Sequence, residues 1–389
     1  MVASIHNLLD KNKTNIKMKN IHYISFYAAL LFCSCTSTSI PVETIGINGE
    51  NVLVLNESKV KETRAVKLSE LTDGYELIRF EKKDEAYFKY QWIYFSENYV
   101  CIRQSGGPIK LYDSKGRFIH DVGNIGHGHG EYISAYDVLI DEKDSCIYVT
   151  SITGNCVLRY DLQGRYVDEI KLGARANKAC LYMPSDSVLS LVHICFAEGS
   201  DKFTAANISL TNIRDIRYTY NEALGVNSIN EKKESVGFNY ENFAYRNSDH
   251  FAFFITSSDT LYHYDEEEVR AVFTVKAEKD APFLILNELP NHYLSNINGA
   301  IILTDKQTGE SYHAEFINDY IGNMGIYPRI EDGYIFQNFD QTSLKEDLTE
   351  RLEKGDYPEG QKDFLKDLVN SLDTTGNDIL FRAKLKTQK

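Results

Sequence analysis

The residues best suited to chemistry crowd into one short stretch, GNIGHGHGEY, Gly123–Tyr132. His127, His129 and Glu131 are donor types that suit Zn²⁺. A zinc site needs three or four such donors held around one point, so further ligands would have to arrive from elsewhere in the chain. No metal is assigned on these residues alone. The glycines suggest a second chemistry, because amides of a Gly-rich turn bind phosphate where the turn opens a helix. The next element, YDVLID, reads as a strand, and no lysine stands at P-loop spacing. The third reading is structural. Gly123, Gly126, Gly128 and Gly130 let the chain turn a tight corner, since glycine adopts backbone conformations closed to other residues. Glu131 would then accept amide hydrogen bonds and Tyr132 would pack inside. The structural reading is the expectation, with His127, His129, Glu131 and Tyr132 kept as the candidate partner- or ligand-binding loop.

Other reactive constellations are missing from the sequence. It has no G-x-S-x-G or H-E-x-x-H pattern, and no Walker or EF-hand spacing. His193 and His250 lie in strand-like stretches, either of which could line a channel. No catalytic residue and no cofactor is expected. The formal net charge of −14 argues against nucleic acid, which requires clustered Lys and Arg. It also argues against docking on anionic lipid by charge.

The elements that must position these residues are short strands rich in Tyr, Phe, Ile and Val. LYDSKGRFI (111–119) and RYDLQGRYV (159–167) align as an internal repeat. Tyr112, Asp113, Gly116 and Arg117 match Tyr160, Asp161, Gly164 and Arg165. Each copy is a hairpin in which an Asp bonds turn amides and a Gly accepts positive φ. Four strands fit one period, as in YDVLID, CIYVTSI, CVLRYD and RYVDEIKL. A period of about 40–50 residues built from four strands is the signature of a propeller blade. Six such units fit residues 63–389, so the predicted class is all-β, a six-bladed β-propeller of four-stranded antiparallel blades. RAVKLSELTDGYELIRF (64–80) is expected to give the last blade an outer strand and so close the ring. A helical hairpin is expected inside the last blade, about 342–372. Ser343 and Glu346 stand at capping-box spacing, and Pro358 opens the second helix.

The N-terminus reads as a targeting segment. In MKNIHYISFYAALLFCSC (18–35) a basic start precedes an apolar run too short to span a bilayer. Phe32-Cys33-Ser34-Cys35 resembles a bacterial lipobox, with Cys35 as the lipid attachment residue and Phe32 in place of the usual Leu. Residues 1–35 are therefore read as signal peptide and lipobox, with 1–17 an upstream start or a long basic region, and 36–62 as a flexible tether. Five cysteines come after it: 101, 146, 156, 180 and 195. Cys146 and Cys156 flank a hairpin and are the one pair whose spacing admits a disulfide, although spacing does not establish the geometry.

Three features together resemble the six-bladed propeller lipoproteins of gut-type Gram-negative anaerobes, with a TolB-like or NHL-like blade arrangement. They are VKLSELTDGYELIRFE, YDSKGRFIHDVGNIGHGHGEY and the late helical segment before NDILFRAKLK. The family corner resembles G-x-x-G-x-G-P-G-E-Y, and this chain departs from it at His129, where the pattern has Pro. The resemblance implies the fold and brings no enzymatic activity. The expected protein is a non-catalytic envelope lipoprotein on the periplasmic face of the outer membrane. It would be a monomer, held to the membrane by lipid only, and would bind an envelope protein, peptide or glycan. The alternative is a metal-dependent hydrolase or lyase with a site in the central channel.

Overall fold

The computed structural model describes residues 41–47, 50–198, 202–230, 232–265, 268–277 and 283–387. The stretch expected to be a signal segment, with Cys33 and Cys35, lies outside the described residues. The fold is all-β and propeller-like, with at least four blade sheets.

One four-stranded antiparallel sheet, residues 90–122, runs Tyr90–Phe95, Tyr99–Gln104, Ile109–Asp113 and Phe118–Val122. A seven-stranded sheet covers residues 135–219. Its middle strand, Tyr166–Ser185, first pairs back with Thr153–Asp161 and then forward with Val188–Ile194. The next sheet, 242–276, holds Asn242–Phe243, Phe251–Ile255, Thr260–Asp265 and Glu268–Lys276. The sheet of residues 284–325 is built on Leu284–Glu288, His292–Ile297, Ala300–Asp305 and Ser311–Asn318. The last sheet, 329–384, orders Arg329–Glu331, Tyr334–Phe339, Ile379–Lys384 and then Glu76–Arg79 from the N-terminal side.

Two expectations about the N-terminal segment need correction. Residues 36–62 are not all tether, because Val42–Ile47 and Glu50–Asn56 form a hairpin. Glu50–Asn56 adds in parallel to Glu268–Lys276. The cause is the apolar run of NVLVL, which buries Val52, Val54 and Leu55 completely. Each such side chain contributes about 1.5–3 kcal/mol. The segment 64–80 does only in part what was expected of it. Thr63–Lys67 adds in parallel to Ser311–Asn318, and only Glu76–Arg79 pairs with the last sheet. One strap therefore covers the outer edges of three sheets in succession.

Two helices, Gln341–Lys354 and Lys362–Ser371, lie between Tyr334–Phe339 and Ile379–Lys384 in sequence. Ser343 is not the N-cap. Asp340 takes that role, accepting from Ser343 N at 2.8 Å. Leu344, Leu348, Leu365 and Leu368 pack into the core beneath the last two sheets. Cys146 and Cys156 are free thiols. Strand register places Cys146 opposite Asp161 and Cys156 opposite Lys171, so the two sulfurs do not face each other.

The repeated turns join one sheet to the next. Asp113 accepts from the amides of Lys115 and Arg117 and pairs with the Arg117 guanidinium at 2.6 Å. Asp161 does the same with Gln163 and Arg165, at 2.7 Å to the guanidinium. The turn glycine then docks on the preceding sheet. Gly116 O accepts from Glu81 N at 2.8 Å, and Gly164 O accepts from Gly123 N at 3.0 Å. Gly164 has φ +76, and a Cβ there would stand 2.2 Å from the backbone oxygen of Asp121. Gly164→Ala is expected to cost about 2–4 kcal/mol, the sum of left-handed strain and overpacking against rigid backbone. Denaturant unfolding measures it, and a loss below about 0.5 kcal/mol would show that this turn does not lock adjacent sheets.

Candidate functional site

The corner Gly123–Tyr132 comes directly after the strand Phe118–Val122 and is held by its own polar groups. Asn124–Ile125 and Glu131–Tyr132 form a short parallel ribbon. Gly126 N donates to Tyr132 O, and Glu131 N donates to Gly128 O. Glu131 Oε2 accepts from Gly128 N at 2.7 Å. Tyr132 is buried. Its hydroxyl donates to Val122 O at 2.7 Å and accepts from Ile109 N at 2.8 Å. Gly130 is buried with φ +72, and a Cβ would meet the Tyr166 ring at 2.4 Å. Its carbonyl accepts from Tyr160 OH at 3.0 Å.

His127 and His129 are both exposed at the surface. His129 stands edge-on to Tyr166 at 4.6 Å between ring centroids. Glu131 and Tyr132 thus serve the corner itself. Neither histidine belongs to a group of metal-ligating side chains among the described residues. His193, a further candidate, is buried against Phe203 at 4.3 Å. Burial pushes its imidazole down to about 4, so it is neutral.

A buried polar cluster around Arg246 carries no sequence motif. Arg246, just after Asn242–Phe243, is a non-glycine residue at φ +54 with a buried side chain. Its guanidinium donates to Asp332 Oδ1 at 2.5 Å and Asp137 Oδ2 at 2.8 Å, and to the carbonyls of Leu181 and Val138. Glu331 Oε1 lies 3.5 Å away, and the Tyr94 ring centroid 5.6 Å. The carboxylates are tied in turn: Trp92 Nε1 donates to Glu331 Oε2 at 3.0 Å, and Phe95 N to Asp332 Oδ2 at 2.7 Å. Asn247 next door donates to Asn287 Oδ1 and Ile330 O and accepts from Gly333 N. Two consecutive residues thereby touch all the other large sheets. The sequence signal is weak: Glu331-Asp332 looks like a solvated turn, and no spacing links Arg246 to Asp137.

A second cluster lies at the junction of the 242–276 and 284–325 sheets. His263 Nε2 and Glu288 Oε2 are 2.6 Å apart. His250 stacks on His263 at 4.4 Å, with ring planes 13° apart. Lys306 Nζ donates to Glu288 Oε1 at 2.5 Å. Burial would raise the Glu288 carboxyl, but the His263 hydrogen bond and the charges of His263 and Lys306 outweigh it and hold it at about 2.

Three carboxylates surround the one Arg246 guanidinium, so charge does not balance. Burial first, and Asp332 second, push the Glu331 carboxyl well above the ordinary range, against the pull of Arg246. Folded Glu331 holds a proton that the unfolded chain releases above about pH 4.3. Its contribution to stability is complete below that pH and is lost as pH rises toward its folded pKa. Glu331→Gln mimics the protonated form and keeps an acceptor for Trp92. It is expected to flatten the decline of stability above about pH 5 and to raise Tm at pH 8 by roughly 2 °C or more. Thermal melts across pH test this. Equal destabilisation at pH 5 and pH 8 would remove the charge argument.

Comparison with known proteins places this geometry. Residues 50–291 match the model of a domain of unknown function, DUF4934. Among curated proteins none matches. A candidate exported protein of Bacteroides fragilis is 18% identical, with TM-score 0.55, over 86% of this chain and 100% of that one. A protein of unknown function from Bacteroides thetaiotaomicron is 13% identical, with TM-score 0.40, over 80% of this chain and 76% of the other. The first likeness extends the propeller-like fold well beyond the matched domain. The family match spans more than half of the sequence, and the chain belongs to the DUF4934 family.

Proposed function

We propose that this chain is a six-bladed, lipid-anchored binding module of the cell envelope, without catalytic activity of its own. Two blades sharing the long strand Tyr166–Ser185 would account for the seven-stranded sheet, because that strand pairs in two separate stretches. Together with the four other large sheets this gives six. The helices Gln341–Lys354 and Lys362–Ser371 then form an insertion in the closing blade. The lipobox at Cys35 and the likeness to a candidate exported protein support an outer-membrane lipoprotein, with the periplasmic face as the favoured side. In this reading the corner glycines 123, 126, 128 and 130 carry the chain from one blade to the next.

The observation that carries the binding reading is the connection between Ile216–Thr219 and Asn242–Phe243. It is long, rich in Tyr and Asn, and built on two short 3-10 turns, Glu222–Leu224 and Gly237–Asn239. Ile229 and Phe238 on it are 52% and 48% exposed, beside the exposed Tyr218 and Tyr220. Its base is held rigidly. Buried Lys178 donates to Phe238 O at 3.0 Å, Tyr240 O at 2.6 Å and Glu241 Oε1 at 2.6 Å. Long connections with their own packing commonly carry function, and anchored aromatics bind at low entropic cost. The partner is an envelope protein, peptide or glycan, met by a monomer. A metal-dependent hydrolase or lyase is the second reading, supported by the donor types of His250, His263 and Glu288.

Two experiments test the proposal. Cys35→Ser in the full chain should move the protein from the membrane fraction to the soluble envelope fraction and abolish acyl labelling, because a lipid anchor contributes about 0.8 kcal/mol per buried CH₂. Unchanged membrane retention would refute the anchor. For binding, Ile229→Asp with Phe238→Asp should lose at least tenfold in affinity for a partner cross-linked to the wild type in envelopes, at unchanged Tm. An identical set of partners with both proteins would refute this loop as the binding surface.

A further inference from the structure

We infer that His250, His263 and Glu288 form a site for one zinc-type divalent transition-metal ion, with a coordination position left open to solvent. The three residues come from two sheets. His250 directly precedes Phe251–Ile255, His263 lies in Thr260–Asp265, and Glu288 ends Leu284–Glu288. One donor atom from each falls within 4.8 Å of the others. Two imidazoles and one carboxylate favour zinc over calcium or magnesium, which prefer all-oxygen shells. Three protein ligands leave the fourth position to water or another exogenous ligand, unlike the closed four-ligand shell of a structural zinc.

The geometry states what must move. Donors around a tetrahedral zinc stand roughly 3.3 Å apart, given Zn–N bonds of about 2.0–2.1 Å. His263 Nε2 and Glu288 Oε2, at 2.6 Å, would open slightly, and the ion would replace the hydrogen that joins them. His250 Nδ1, 3.9 Å from Glu288 Oε1, would close in. An ion cannot lie in the planes of two stacked imidazoles, so His250 must rotate about its side-chain torsions. Its side chain is 57% exposed, and the terminal torsion of histidine is broad, which permits this. His263 and Glu288 are buried and form the fixed half of the site. Lys306 holds the second carboxylate oxygen and also donates to Pro290 O at 3.1 Å, which orients Glu288 Oε2 toward the ion.

The test is calorimetric titration of the chelator-stripped full chain with Zn²⁺ alone, alongside thermal melts. The wild type should bind one ion and gain Tm, because a ligand of the folded state stabilises it. His250→Ala is a surface change whose metal-free Tm should match the wild type, while its Zn²⁺ affinity falls at least tenfold. Glu288→Gln should abolish binding. A His127→Ala, His129→Ala double variant should bind as the wild type does. No binding by the wild type, equal affinity in His250→Ala, or loss of binding in the double variant instead would each overturn the site.

Discussion

One guanidinium ties distant sheets of this molecule together. Arg246 meets carboxylates and carbonyls from sheets far apart in sequence, and so ties their ends to one point. Its backbone sits at φ +54, a conformation that costs a β-carbon residue on the order of 1–3 kcal/mol and persists only where surroundings enforce it. Removing one partner of a buried ion pair typically costs about 3–5 kcal/mol, because the remaining charge is stranded. Arginine suits the position because its rigid planar fork addresses several acceptors at once. Lysine at the same place would carry the charge without the geometry.

Around that point, adjacent sheets are coupled by two devices of different kinds. The first is local and repeated. An Asp gathers turn amides, a Gly comes next in the left-handed region, and the turn docks on the backbone edge of the preceding sheet. The second is singular. The N-terminal strap adds strands to the 242–276, 284–325 and 329–384 sheets, covering edges that would otherwise present unpaired backbone. The corner Gly123–Tyr132 belongs to the first kind. It starts where Gly164 docks, and its buried Tyr132 spends both hydrogen-bonding capacities on the preceding sheet.

Legibility in the sequence depends on the range of each interaction. The Asp113–Arg117 and Asp161–Arg165 turns are contained within five residues each, so the repeat and the strand-rich class could be read directly. The helix pair was legible from apolar spacing, although its cap was misplaced, because Asp340 and Ser343 are both good capping residues and only geometry decides between them. Only the first part of the strap, within residues 36–62, reads as tether, since parallel addition leaves no local mark and NVLVL is brief beside its polar flanks; the pairing of Glu76–Arg79 with the last sheet was legible. Arg246 was not legible, and of the His250–His263–Glu288 group only His250 stood out, as a channel candidate without its partners. Their partners lie on other sheets, and isolated charged residues on turns look solvated until the fold brings them together.

The strap also sets an order of events. Leu53 pairs with Phe273, Thr63 with His313 and Arg79 with Ile379, so these strands find their places only after much later residues have been made. Contacts this distant in sequence slow folding, because loop closure must precede any gain from pairing. Until the final strand exists, the strap cannot be paired along its whole length, and the closing sheet edge stays uncovered. The chain's most vulnerable interval therefore lasts until Ile379–Lys384 has been made, and completion of that strand is the event that shuts it.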